Sequence, residues 1–106
     1  MYAIGYRYPV PPSSASALVE LQQRVARLYG EAGCRRYLLL RPRAEGEPWT
    51  ELTFYDDRRH YEEVERKLGA SSTLEVLFAE FLRLTGVPET ELEPMEFDVA
   101  FQSGTG

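Results

Sequence analysis

An α+β fold, a four-stranded antiparallel sheet with helices on one face, is predicted by three observations. Three stretches alternate in the period-2 manner of strands, and a fourth is a short apolar run. Between them lie amphipathic stripes of helical spacing. Proline and glycine punctuate the boundaries. The element order that results is β-α-β-β-α-α-β.

The first strand is Tyr2–Val10. Tyr2, Ile4, Tyr6, Tyr8 and Val10 lie on one face; Ala3, Gly5, Arg7 and Pro9 lie on the other. Small residues at Ala3 and Gly5 are expected to let a helix approach closely. Pro9, Pro11 and Pro12 stop the strand, and Ser13 or Ser14 can cap a helix from about Ser14 to Tyr29. Its apolar stripe is Leu18, Leu21, Val25, Leu28 and Tyr29, followed by Gly30 and Gly33 as stops. Cys34–Arg41 is the second strand, and the polar loop Arg43–Pro48 turns it into an antiparallel neighbour, Trp49–Tyr55.

In that third strand Thr50, Leu52 and Phe54 share a face that reads as core. Trp49, Glu51, Thr53 and Tyr55 share a face that is aromatic and polar, the composition of an interface. Asp56 or Asp57 then caps a helix over Arg58–Leu68, ended by Gly69. Ser72-Thr73-Leu74-Glu75 reads as a capping box that opens another helix, with Leu74, Leu77, Phe78, Phe81 and Leu82 on its apolar stripe and Gly86 and Pro88 as stops. The last strand carries Met95, Phe97, Val99 and Phe101 on one face, and Gln102–Gly106 is expected to be a loose tail. With the last two helices acting as one broken helix, two βαβ halves joined by a hairpin make the ferredoxin-like split βαβ plan.

The 106 residues form one domain, 43% hydrophobic, enough for a single modest core. A net charge of −5 argues against nucleic acid as a partner. The N-terminus lacks a basic region followed by a long apolar run, so no signal peptide is expected, and no stretch is long and apolar enough for a membrane span. A lone Cys34 allows no intrachain disulfide, and a cytoplasmic location is expected.

No specific catalytic or metal motif is present. His60, the only histidine, is a general base or ligand, or an exposed residue of a helix first turn. It has no ligand spacing around it, so no metal or cofactor is expected. Asp56 and Asp57 are acid/base groups or helix caps. Cys34 is a nucleophile without an evident base, or a small strand residue. Arg35, Arg36, Arg41 and Arg43 either hold an anion or pair with carboxylates at strand ends. If the chain is an active enzyme, a cleft is expected between helices and sheet, bounded by the first-strand face of Ala3, Gly5 and Arg7 and by His60–Val64; the opposite reading is that Ala3 and Gly5 only admit a packed helix, with Arg7 in water near a strand end. In that cleft Arg7, His60 and Tyr61 are the candidate ligand-binding residues.

Helices on one face leave the other uncovered, and an aromatic sheet face of roughly 400 Å² favours pairing of two sheets. A homodimer through Tyr2, Tyr6, Tyr8, Trp49 and Tyr55 is therefore expected; the competing reading of the first-strand tyrosines is that they line an aromatic ligand pocket.

The Trp49-x-Glu51 strand, the acidic stop, the helix bearing Tyr61 and the apolar last strand resemble the dimeric α/β-barrel superfamily. So do the Tyr6-Arg7 first strand and the Leu39-Leu40-Arg41-Pro42 end of the second. This superfamily has antibiotic-biosynthesis monooxygenase-like and haem-degrading branches. The resemblance implies a homodimer that binds a small apolar or aromatic ligand, or a cofactor-independent monooxygenase-like enzyme for a small aromatic substrate. Its enzymatic branches use Asn, Trp, Arg, Tyr or His in the cleft; this chain has no Asn, and Trp49 matches by residue type and strand position.

Overall fold

The computed structural model describes residues 1–104. Strands β1 (Tyr2–Tyr8), β2 (Arg36–Leu40), β3 (Trp49–Tyr55) and β4 (Met95–Asp98) form one antiparallel sheet in the order β2-β3-β1-β4. Helices α1 (Ala15–Glu31), α2 (Arg58–Gly69) and α3 (Ser72–Thr85) supply the other layer. This is the expected ferredoxin-like plan. The sheet ends run shorter than alternation alone suggests. After Asp98 a single bond from Val99 N to Met1 O (2.8 Å) continues the β4 edge. The tail expected at Gln102–Gly106 extends past the described residues, with Thr105 and Gly106 outside them.

Local chemistry explains the helix boundaries. Asp57 is extended and its carboxylate accepts from His60 N at 2.8 Å, which caps α2. At α3 the cap is Ser71, whose hydroxyl accepts from Leu74 N at 3.0 Å. The expected box starting at Ser72 therefore shifts by one residue, which puts Leu74 rather than Glu75 at the third helical position. Gly86, at φ 70°, closes α3 in the left-handed conformation. Helix α1 runs through Gly30, and Gly33 (φ 111°) makes the reversal into β2.

The structure inverts the expected facing of the sheet. Tyr2, Ile4, Tyr8, Trp49 and Tyr55 are buried beneath the helices, with Tyr6 half-buried beside them. Tyr2, Tyr6, Tyr8, Trp49 and Tyr55 are thus core residues of the single chain and cannot form a dimer surface while the helices stay docked. The core beneath α1 and α3 is built on Tyr8, Leu18, Leu21, Val25, Trp49, Leu77 and Phe81. A second cluster, under α2, joins Tyr2, Ile4, Tyr55, Val64 and Leu68.

Leu52 and Phe54, whose face reads as core in the sequence, lie instead on the uncovered face, with Phe97 beside them. In register Ala3 opposes Phe54 and Phe97, and Gly5 opposes Leu52 and Met95. A Cβ on Gly5 would sit 3.1 Å from Leu52 Cδ2 and 3.2 Å from Phe97 Cε2. The small residues of β1 admit these side chains, not a helix. Phe81 is buried and Leu82 half-buried, as the α3 stripe requires, while Phe78 is 37% exposed.

The inward polar residues of β3 are satisfied internally. Tyr55 donates to Thr53 Oγ1 at 3.0 Å, and Glu51 finds partners on two other elements. A buried polar group costs little once hydrogen-bonded, so an aromatic and polar strand face can be a core face.

Candidate functional site

Glu51 is the fifth-to-last residue of β3 and points towards α1, 9% exposed. Its Oε1 accepts from Gln22 Nε2 of α1 at 2.8 Å and from the Tyr8 hydroxyl of β1 at 3.1 Å. Gln22 lies in the α1 stripe between Leu18 and Val25, which is why a polar side chain reaches the sheet. Tyr37 of β2 brings a hydroxyl close enough to favour the carboxylate's charged form, but it closes no hydrogen bond and is buried without a partner.

Among the described residues, no Lys or Arg pairs with this group. Burial pushes the Glu51 carboxyl above the usual carboxylate range, and the donors on Tyr37, Tyr8 and Gln22 act in the opposite direction. Burial likewise pushes the hydroxyls of Tyr8, Tyr29 and Tyr37 upward, so they remain neutral.

These residues line a cavity of about 440 Å³ between sheet and helices. Such a volume suits a small organic ligand. The sheet contributes Tyr6, Tyr8, Tyr37 and Glu51, and α1 contributes Gln22, Val25 and Tyr29. Phe78 and Phe81 of α3 stack in parallel at 6.0 Å, and Phe81 meets Tyr8 edge-on at 4.8 Å. The break between α2 and α3 opens the layer here: Leu68, Gly69 and Ser71 are in the wall, with Glu75 and Glu89 among the exposed lining residues.

The sequence-predicted site is not assembled. Arg7 projects exposed from the uncovered face of β1, away from the helices, because the face it shares with Ala3 and Gly5 is the outer one. His60 and Tyr61 do come together, packing on Tyr55 at 5.8 and 5.1 Å, with Tyr61 also 5.5 Å from Tyr2. Tyr61 packs against the cluster under α2, and neither residue lines the Glu51 cavity. His60 Nδ1 accepts from Asp56 N at 2.9 Å, a turn-closing role. Asp56 takes a two-bond fork from Arg35 at 2.8 and 3.0 Å, and Arg41 lies 5.3 Å over the Trp49 ring. Cys34 Sγ approaches the carbonyl oxygens of Arg36 and Phe54. Among the described residues, no three His, Cys, Asp or Glu side chains gather as a metal site. No helix among them is long and apolar enough to cross a membrane.

Glu51, Gln22, Tyr29, Tyr37 and Phe78 are the cavity residues that sequence reasoning missed as a site. The available signals were a glutamine inside an apolar helical stripe and a glutamate inside an aromatic strand.

The family model described as antibiotic biosynthesis monooxygenase matches residues 1–67, more than half of the chain. The chain belongs to the antibiotic biosynthesis monooxygenase family. Solved structures similar to this family member include SnoaB, a cofactor-independent oxygenase from Streptomyces nogalater (TM-score 0.71, 16% identity, covering 95% of this chain and 94% of that one). Rv0793 from Mycobacterium tuberculosis is similar at TM-score 0.65 and 21% identity, covering 97% and 98%. The heme-degrading protein Rv3592 of the same organism is similar at TM-score 0.64 and 16% identity, covering 98% and 100%. At these identities the likeness is one of fold. No curated protein sequence matches the chain.

Proposed function

We propose that this antibiotic biosynthesis monooxygenase family member is a cytoplasmic homodimer that binds a small apolar or aromatic ligand in the cavity at Glu51. The observation that carries the reading is the cavity itself: about 440 Å³, walled by tyrosine and phenylalanine rings, with one buried carboxylate at its sheet side. Aromatic walls with few polar groups are what orients a small ligand. Haem fits this wall poorly. Among the described residues the lining offers no histidine, cysteine or methionine to iron, burial keeps the Tyr8, Tyr29 and Tyr37 hydroxyls protonated and so poor iron ligands, and the charged members of the lining are the carboxylates of Glu51, Glu75 and Glu89, which would repel propionates.

A second reading, a cofactor-independent monooxygenase-like enzyme acting on a small aromatic substrate, is favoured by the same carboxylate. With its pKa raised by burial, Glu51 suits a proton acceptor for a substrate hydroxyl. Oxygen uptake that requires an aromatic substrate and falls in Glu51→Gln would favour the enzyme; binding without uptake would favour the ligand-binding module.

The dimer of this proposal uses the uncovered sheet face, where Leu38, Leu52, Phe54, Met95 and Phe97 project. Its plan area of roughly 400 Å² is about half the ~800 Å² per partner of a stable interface. The segment after β4 supplies more, since Phe101 is 82% exposed. Light scattering that returned a clean 12.2 kDa monomer would overturn it. A thermal-shift screen with small neutral aromatics tests the ligand site. A compound at 100 times its Kd adds about 2.7 kcal/mol, on the order of 10 °C in Tm for a domain this size. Filling the cavity with Leu74→Trp should abolish that shift; a shift that survives places the ligand elsewhere.

A further inference from the structure

We propose that the cavity selects an organic cation, an aryl- or alkylammonium ion whose nitrogen rests against Glu51 within the tyrosine rings. This inference rests on the cavity being a ligand site and adds the charge of the ligand.

The first argument is the company Glu51 keeps. Its Oε1 receives two neutral donors, the Tyr37 hydroxyl adds a weaker neutral one, and among the described residues neither oxygen meets a Lys or Arg. Buried charges are ordinarily paired. A phenol or alcohol would donate one hydrogen bond and leave the charge uncompensated. An ammonium ion has up to three donors and the opposite charge.

The walls give the second argument. Tyr6, Tyr29, Tyr37 and Phe78 present aromatic rings to the same space, and a ring face attracts a cation through its quadrupole. The Tyr37 hydroxyl, buried without a partner, can accept a further N–H. The mouth is the third argument. Glu75 and Glu89 add negative charge to a cavity lined by no lysine or arginine, on a chain of net charge −5. Such a field draws cations in and turns carboxylates and phosphates away. Burial alone holds the Glu51 carboxyl high; a bound cation favours its ionised form, so cation binding should strengthen as Glu51 deprotonates.

The test is calorimetric titration of the full chain, near neutral pH, with three ligands of one shape: 2-phenylethylammonium, 2-phenylethanol and 3-phenylpropanoate. The ammonium ion should bind about tenfold or more tighter than the alcohol, and the carboxylate should not bind measurably. In Glu51→Gln, which keeps the acceptor oxygen and the shape, the preference for the ammonium over the alcohol should disappear while the alcohol still binds. If the alcohol matches the ammonium on the wild-type chain, or the preference survives in Glu51→Gln, the inference is wrong and the ligand-site reading stands. If none of the three binds at about 1 mM, and no neutral aromatic shifts Tm, both fall. The wild-type comparison decides the matter even if the variant misfolds.

Discussion

Replacing Glu51 with Gln should stabilise the ligand-free chain. The carboxylate is 9% exposed and meets only neutral donors, Gln22 Nε2 at 2.8 Å and Tyr8 Oη at 3.1 Å. An amide keeps the oxygen that both donors use and removes the charge that burial penalises. Replacing even a paired set of buried charges by neutral groups of similar volume is often neutral or stabilising by about 1–4 kcal/mol, and Glu51 has no counter-charge to lose. The lower half applies here, because three polar side chains already soften the penalty and the cavity is open at one side. A gain of about 1–2 kcal/mol corresponds to roughly 5–15 °C in Tm.

The pH dependence has a definite sign. The folded-state pKa is raised by burial, so the native state binds more protons than the unfolded chain between the two values. Wild-type stability therefore falls as pH rises from about 4, the unfolded glutamate value, through the higher folded value, above which the full penalty is present. The variant has no such slope at this position, so its advantage should be near zero at about pH 4 and larger at about pH 8. Urea unfolding of both proteins at fixed concentration and the two pH values reads the difference, with unchanged m confirming the same transition. A variant less stable by more than about 1 kcal/mol at the higher pH, or an advantage independent of pH, would refute the reasoning and make Glu51 a structural anchor.

Other perturbations separate the layers. Phe81→Ala, at a position 6% exposed beneath α3, should cost about 3–5 kcal/mol in chemical denaturation; a loss under about 1 kcal/mol would contradict its core position. Phe97→Asp, on the uncovered face, should convert the proposed dimer to the 12.2 kDa chain in light scattering, because it buries a charge in an apolar patch; an unchanged dimer would move the interface. Asp57→Ala removes the cap on His60 N and should cost about 1 kcal/mol, measured the same way; no loss would mean that solvent replaces the cap.

Element identity and order were legible because they depend on short-range periodicity and breakers. The Trp49–Tyr55 strand has the expected ends, Asp57 and Gly86 cap as their chemistry dictates, and Leu18, Leu21 and Val25 face the core. The family resemblance rested on the same local patterns, which is why it held for the fold.

Alternation divides a strand into two sets without saying which set faces inward. Here both sets are apolar enough for burial: Leu52 and Phe54 crowd over Gly5 on the open face, while Trp49 and Tyr55 fill the helix layer. Glu51 and Thr53 made the second set read as surface, because a polar residue looks exposed until its partners are known. Those partners come from other elements: Gln22 stands 29 residues before Glu51 and Tyr8 stands 43 before it. Only the packing of α1 against β1 and β3 brings them together, and only the break between α2 and α3 leaves space beside them. Interactions within a few residues set the strands, the helices and their order. The direction of the sheet and the site on it were decided by the tertiary structure, because burial and hydrogen-bond pairing between distant segments set their energies.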